Sequence, residues 1–186
     1  MGDPRTDLPA DPWANVPPES QWGTRHPSRY EAERTITGTE VMRRDRCRIT
    51  RTSGQSLTSG VTTIINFDTV VFDASGMADT TVHVGRITIP PGLRGMWIVS
   101  AQLMWGSSIA GTIRQAQINK NGLAIATDIV PPSVNVSQNP TNRLIIFENE
   151  PSPGDFYEVT GLQDSGGNLS IFGATDRSYF ELIHLW

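Results

Sequence analysis

The stretch SYFELIHLW, residues 178–186, decides how the rest of the chain is read. Taken as a β-strand, it places Phe180, Leu182, His184 and Trp186 on one face and Tyr179, Glu181, Ile183 and Leu185 on the other. Both faces are largely apolar, whereas a half-solvated antiparallel strand carries one polar face. The expectation is a strand whose first face fills a sandwich core and whose second face is covered by another surface, with Trp186 capping the end of the core or of an assembly axis.

The chain upstream consists of short β-type runs separated by turn chemistry. TTIINFDTVVF (62–72), GRITIP (85–90), GMWIVSAQLMW (95–105), IRQAQINKNG (113–122), NRLIIFENE (142–150), DFYEVTGLQ (155–163) and LSIFGA (169–174) join the terminal run to make about eight strands. The breaks are PPG, KNG, PSPG and SGG, in which proline fixes φ and glycine or asparagine tolerates positive φ. No stretch after Val41 has a helical period. An all-β antiparallel sandwich of jelly-roll size follows, without internal repeats.

Residues 1–45 differ in texture. Pro4, Pro9, Pro12, Pro17, Pro18 and Pro27 interrupt any regular element, which predicts an extended arm ahead of one sandwich domain at 46–186. Trp13, Trp22 and Tyr30 are spaced along it without a core-forming period. Disordered segments are usually poor in such side chains, so these three are read as anchors that dock the arm onto a partner. A short helix is expected over Ser28–Val41, where a capping serine precedes Glu31 by three residues. Next come Arg43, Arg44, Arg46, Arg48 and Arg51. They are either a basic stripe gripping phosphates or an acidic protein surface, or a solvated strand face paired locally with Asp45 and Glu40.

Composition narrows the function. At 186 residues, with 37% hydrophobic content, the chain suits one good-sized domain plus an extension. No apolar run approaches the ~20 residues of a spanning helix, so no membrane insertion is expected. MGDPRTDLPADPW lacks the basic start and apolar stretch of a secretory leader, which predicts cytoplasmic synthesis. The net charge of −4 argues against direct nucleic-acid binding. Cys47 is the single cysteine and cannot form an internal disulfide.

Chemistry-bearing constellations are sparse. His26, His83 and His184 lie far apart and outside any nucleophile signature, so each is read as structural and no catalytic set is assigned. Asp68, Asp73 and Asp79 could line a calcium loop, yet they lack the dense alternation of a dedicated ligand set. The glycine-rich SGG and SSIAGT lack the lysine and strand-to-helix setting of a phosphate cradle. No metal, cofactor or enzymatic activity is expected.

Five pieces in order carry a resemblance: FDTVVFD (67–73), RITIP followed by Gly95, Met96, Trp97, Ile98 and Val99, the hairpin of Ile118, Lys120, Asn121 and Gly122, PGDFYEV (153–159), and the closing strand from Ser178. From Cys47 to Trp186 the chain resembles the trimeric jelly rolls typified by tumour necrosis factor and the globular head of the first complement component. It departs from that pattern at Met96, where an aromatic is common, and at Leu182, where a glycine is common. Phe67, Asp68, Thr69, Phe72, Asp73, Gly76 and Met77 are similar to domains in structural proteins of tailed bacteriophages. The resemblance implies a homotrimer without enzymatic activity that assembles into a virion.

Three expectations follow. Tyr179, Ile183 and Leu185 would form the trimer interface. The chain would be a capsid decoration or cement protein on the virion exterior, with residues 1–45 gripping the major capsid protein or another virion protein. The alternative is a tail-fibre or minor tail module that recognises a host surface through GSSIAGT (106–112) or PPSVNVSQNPT (131–141).

Overall fold

Alternation of buried and exposed side chains fixes the strands. In the closing strand, Phe180 and Leu182 are fully buried while Tyr179, Glu181 and Ile183 are half-exposed, which is the period of two that SYFELIHLW predicts. The computed structural model describes residues 45–186. Trp13, Trp22, Tyr30, Arg43, Arg44, His26 and the helix expected over Ser28–Val41 lie outside the described residues.

Thirteen strands occur among the described residues, in the order β1 (Arg46–Thr50), β2 (Gln55–Leu57), β3 (Thr63–Ile64), β4 (Thr69–Asp73), β5 (Ala78–Asp79), β6 (Arg86–Thr88), β7 (Met96–Met104), β8 (Arg114–Lys120), β9 (Leu123–Val130), β10 (Thr141–Asn149), β11 (Phe156–Gln163), β12 (Leu169–Ile171) and β13 (Tyr179–His184). They form an antiparallel jelly-roll sandwich. The first sheet has the order β10-β7-β13-β1-β4; the second has the order β5-β6-β11-β8-β9, with β3 also paired to β11. A two-stranded ribbon, β12-β2, closes one end.

Two expectations change. TTIINFDTVVF is a crossover and not a single strand: β3 pairs with β11 in the second sheet, while β4 pairs with β1 in the first. Between them Ile65 and Phe67 are fully buried, so apolar side chains continue to fill the core where the run leaves one sheet for the other. The return strand β9, after the turn at Asn121 and Gly122, was not among the expected runs. Asn121 and Gly122 both have positive φ, 52° and 82°, which suits the tight turn joining β8 to β9.

The core lies between the inward faces of the two sheets. From the first come Cys47, Ile49, Val99, Ala101, Leu103, Phe180 and Leu182; from the second come Ile87, Ala116, Ile118, Tyr157 and Val159. Leu182 is fully buried between Cys47 and Val99 on the neighbouring strands, so leucine is accommodated at the position where the family pattern has glycine. Burial pushes the Cys47 thiol far above its ordinary value, with the carboxylates of Asp73 and Glu181 adding to the effect.

Gly161 sits on the inward face of β11 against the indole of Trp105. A methyl group there would lie 2.9 Å from Leu57 Cδ2, 3.2 Å from Trp105 Cη2 and 3.3 Å from Ile65 Cδ1. Gly161→Ala is therefore expected to destabilise the fold by about 1–3 kcal/mol through overpacking. An unchanged chemical-denaturation midpoint would contradict this packing.

Candidate functional site

The outward face of the first sheet carries the apolar side chains that the core does not use. Cross-strand register aligns Phe147, Ile98 and Ile183 in one row and continues it to Arg46. The next row is Ile145, Ser100, Glu181 and Arg48, and the next is Arg143, Gln102, Tyr179 and Thr50. The first two rows therefore grade from apolar at β10 to basic at β1, while the third is polar along its length and starts from Arg143. Ile145 and Phe147 are 70% and 66% exposed, on an edge strand nine residues long. Long apolar edges of this kind are association sites unless covered.

Of the expected interface residues, Tyr179 and Ile183 lie half-buried on this face, whereas Leu185 is past the end of β13 and is tied back by its N–H donating to Met96 O at 2.8 Å. Trp186 does not cap the core. Its side chain is 69% exposed, and its carbonyl accepts from the Met96 N–H at 3.3 Å. Gly95, with φ 108°, lets that carbonyl approach, since a Cβ there would overlap Trp186 O. Sequence reading passed over Ile145 and Phe147. The signal was present in NRLIIFENE, which carries apolar residues on both faces as SYFELIHLW does.

The arginines of β1 are engaged within the chain. The Arg48 guanidinium lies 3.9 Å above the Tyr179 ring and 3.8 Å from Glu181, and its Nη2 donates to Thr175 O at 3.1 Å. Arg46 stacks on Phe72 at 4.5 Å. Among the described residues the ionic partner of Arg48 is Glu181, across the β1–β13 register, and not the nearby Asp45, whose carboxylate accepts from the Ser75 hydroxyl; Glu40 lies outside the described residues. Burial raises the Glu181 carboxyl above its usual range, against the opposing pull of Arg48 and Arg46. Arg51 points elsewhere: it is buried, donating to Ser53 O and Asn66 O.

At one end of the sandwich the loops 106–112 and 131–141 lie side by side, joined by Ser133 N–H donating to Ser108 O at 3.1 Å. Arg114 organises the first of them. Fully buried, it donates to Ile113 O, Ala110 O and Ser108 O at 2.7, 2.8 and 3.3 Å and lies 3.6 Å from Asp164. Asp164 in turn accepts from the Ile113 and Thr112 amides and the Thr112 hydroxyl. The loops expose Ile109, Val134 and Val136.

The Ile113 amide, followed by the Thr112 hydroxyl and amide, lowers the Asp164 carboxyl from 3.8 to about 2, with the Arg114 charge assisting. A carboxyl whose folded value lies below its unfolded one stabilises the fold above the unfolded value and loses that contribution as pH falls through the folded one. The Asp164 carboxyl is expected to titrate near pH 2 by carbon-detected NMR. Asp164→Asn should flatten the acid limb of stability between about pH 4 and pH 2. A midpoint near 4 would refute this bracing.

The remaining expected chemistry is dispersed. Asp73 accepts from the Ser75, Met77 and Ala78 amides, Asp79 from the Thr81, Val82 and His83 amides, and Asp68 from the Thr52 amide. These three carboxylates hold separate turns and do not converge on one ion site. Among the described residues no group of three or more His, Cys, Asp or Glu is placed to hold a metal. His83 contacts Asp79 at 3.2 Å, and His184 stacks on Trp97 at 4.7 Å while its Nε2 meets Arg94 O at 2.6 Å.

No family model matches the sequence, and no curated protein matches it. Solved structures do. The fold is similar to the Eiger tumour necrosis factor of S. frugiperda, at 11% identity and a TM-score of 0.52 over 77% of this chain and 93% of that one. It is similar to murine APRIL, at 10% identity and a TM-score of 0.54 over 76% and 99% of the two chains. The globular domain of zebrafish complement 1qA matches at 8% identity and a TM-score of 0.50, over 76% and 98%. At these identities the likeness concerns architecture, and it establishes that residues 45–186 form an antiparallel jelly-roll sandwich like those of tumour necrosis factor and the complement globular head.

Proposed function

We propose that the chain is a non-enzymatic structural module that self-associates as a homotrimer through the outward face of its first sheet. The observation that carries this reading is the row Phe147–Ile98–Ile183, whose exposed end lies on the edge strand β10. Over its first two rows the face has an apolar side at β10 and a basic side at β1, so one copy's β10 edge suits the next copy's β13–β1 surface. Such head-to-tail contact between unlike patches closes into a ring when the rotation permits. The edges of the two sheets are tied together beside this patch, with Asn142 Nδ2 donating to Asp128 Oδ2 at 2.9 Å, so β9 and β10 would meet a neighbour as one rigid border. Tyr179 and Ile183 belong to the contact; Leu185 lies at its margin.

Within that reading, the chain serves as a decoration protein on the capsid exterior of a tailed bacteriophage, with residues 1–45 gripping the shell. The similarity of FDTVVFDASGM to phage structural domains and the aromatic-bearing arm support this assignment. Removing residues 1–45 is expected to abolish binding to empty capsids while leaving the trimer intact, as read by co-sedimentation and by light scattering. Equal capsid affinity without the arm would end the proposal. The tail-module alternative draws on the Arg114-braced loops, which present a fixed surface with Ile109, Val134 and Val136 exposed. Adsorption of the arm-less domain to host cells would favour it.

A further inference from the structure

The outward face of the second sheet, on the far side of the sandwich from the association face, holds a recess of about 330 Å³. Its floor is a row of polar side chains set by register: Gln117 opposite Thr160, Thr160 opposite Ile64, and beside them Asn119 opposite Glu158, with Thr127 next to Gln117 on β9 outside the recess. Asn119, Glu158 and Thr160 are only 7%, 9% and 8% exposed although they point away from the core. A β-bulge between Ile118 and Asn119 sets Asn119 opposite the small Ala124, which leaves the space open at that point. Bulges commonly re-aim side chains in this way.

The hydrogen bonds arrange these groups without saturating them. Asn119 Nδ2 donates to Thr160 Oγ1 at 3.1 Å, and Gln117 Nε2 donates to Thr127 Oγ1 at 3.2 Å. Arg86 holds Glu158 from Nε and Nη2, at 3.0 and 2.9 Å, but both bonds go to Oε1. Among the described residues, Glu158 Oε2 and Asn119 Oδ1 receive no hydrogen bond. Each is an acceptor with capacity left, and Gln117 retains a second amide proton. Ile64 supplies an apolar wall.

The chemistry selects the ligand class. An anion would meet Glu158 with no free cation nearby among the described residues, because Arg86 is paired to Glu158 and lies 3.7 Å above the Phe156 ring. A metal would find a single carboxylate, already neutralised by Arg86. An apolar ligand would strip water from amides and a carboxylate without replacing their hydrogen bonds. A ligand with neighbouring hydroxyls would donate to Glu158 Oε2 and Asn119 Oδ1, accept from Gln117, and lay a C–H face on Ile64. The volume is at the low end for small-ligand pockets. We propose that this recess binds a neutral sugar unit, such as one pyranose of a glycan. The proposal does not rest on trimer formation, since the recess and the association face lie on opposite sheets.

The test is titration of the 15N-labelled full chain with glucose, galactose, N-acetylglucosamine and short neutral oligomers of each, followed by amide chemical shifts. The expected result is saturable movement of the Asn119 and Gln117 side-chain amides, with neighbouring β8 and β11 backbone amides, for at least one probe at millimolar concentrations. Gln117→Leu and Glu158→Gln should each weaken that binding roughly tenfold or more, the size expected for losing one hydrogen bond to a sugar hydroxyl. Gln117 is half-exposed, so its variant reports on binding even if Glu158→Gln disturbs the Arg86 pairing. No saturable movement with any probe, movement confined to other surfaces, or affinity unchanged in folded Gln117→Leu would each overturn the assignment. Trimer stoichiometry is unaffected by any of these outcomes, so the two readings fail separately.

Discussion

Phe147→Asp is expected to yield a folded chain that no longer assembles. The side chain is 66% exposed in the single chain, so the fold has little to lose from its replacement. In a threefold ring it would be buried in every interface against the next copy's apolar and basic rows. Central aromatic anchors contribute roughly 2–4 kcal/mol each to an interface. A buried carboxylate without a designated partner adds a desolvation penalty. The loss recurs at all three contacts, so sedimentation velocity at micromolar concentration should show the parent as a trimer and the variant as a monomer with an unchanged circular dichroism spectrum. Ile183→Asp should act in the same direction from the centre of the same row, giving folded or partly folded monomers because Ile183 is half-buried within its own chain. A Phe147→Asp protein that still sediments as a trimer would remove this face from the interface.

The second large effect concerns the core. Phe180→Ala is expected to cost about 3–5 kcal/mol, the usual loss when a buried aromatic is truncated in a close-packed interior. Phe180 is fully buried on β13, stacked against Phe67 at 6.2 Å between centroids, and lies opposite Ile49 and Ala101 on the flanking strands. Phe67 is in the crossover, so the cavity would loosen the joint between the sheets as well as the first sheet itself. Against a typical total stability of about 5–15 kcal/mol, such a loss leaves a marginal domain. Urea titration would read it directly, and a loss under about 1 kcal/mol would mean that the ring is not packed as described.

These two variants separate what was legible in the sequence from what was not. Phe180 and Ile183 were assigned to opposite faces from alternation alone, and the structure places them so, because period two is a local property of an extended backbone. The sheet change inside TTIINFDTVVF was not legible: Ile65 and Phe67 stay buried through the crossover, and a pattern of apolar residues does not reveal which sheet they serve. Strand β9 was hidden for a different reason. LAIATDIV mixes alanine and aspartate, which are weak strand formers, and lies on an edge where burial imposes little pattern.

The candidate sites divide in the same way. The association face was half-legible, since Tyr179 and Ile183 are on it while Ile145 and Phe147 were overlooked. The sugar recess left no sequence signal, because Gln117, Asn119, Glu158 and Thr160 each look like ordinary outward residues of half-solvated strands. Their convergence depends on pairing β8 with β11 and on one bulge. The Arg114–Asp164 brace joins residues far apart in the chain through a contact that only the folded loops create.

The strand order has a further consequence for biosynthesis. In the first sheet, β1 and β7 are each paired to β13 and not to one another, so of the thirteen described strands the last in chain order is the one that joins the two halves. A ribosome-bound chain lacking β13 can complete neither the first sheet nor the interior behind it, and β7 waits with apolar side chains on both faces uncovered. Folding of the domain must therefore await β13 and is dominated by contacts distant in sequence, which is slow and exposed to aggregation. The yield of native protein should depend more on chaperone supply and growth temperature than on the intrinsic stability of the finished domain.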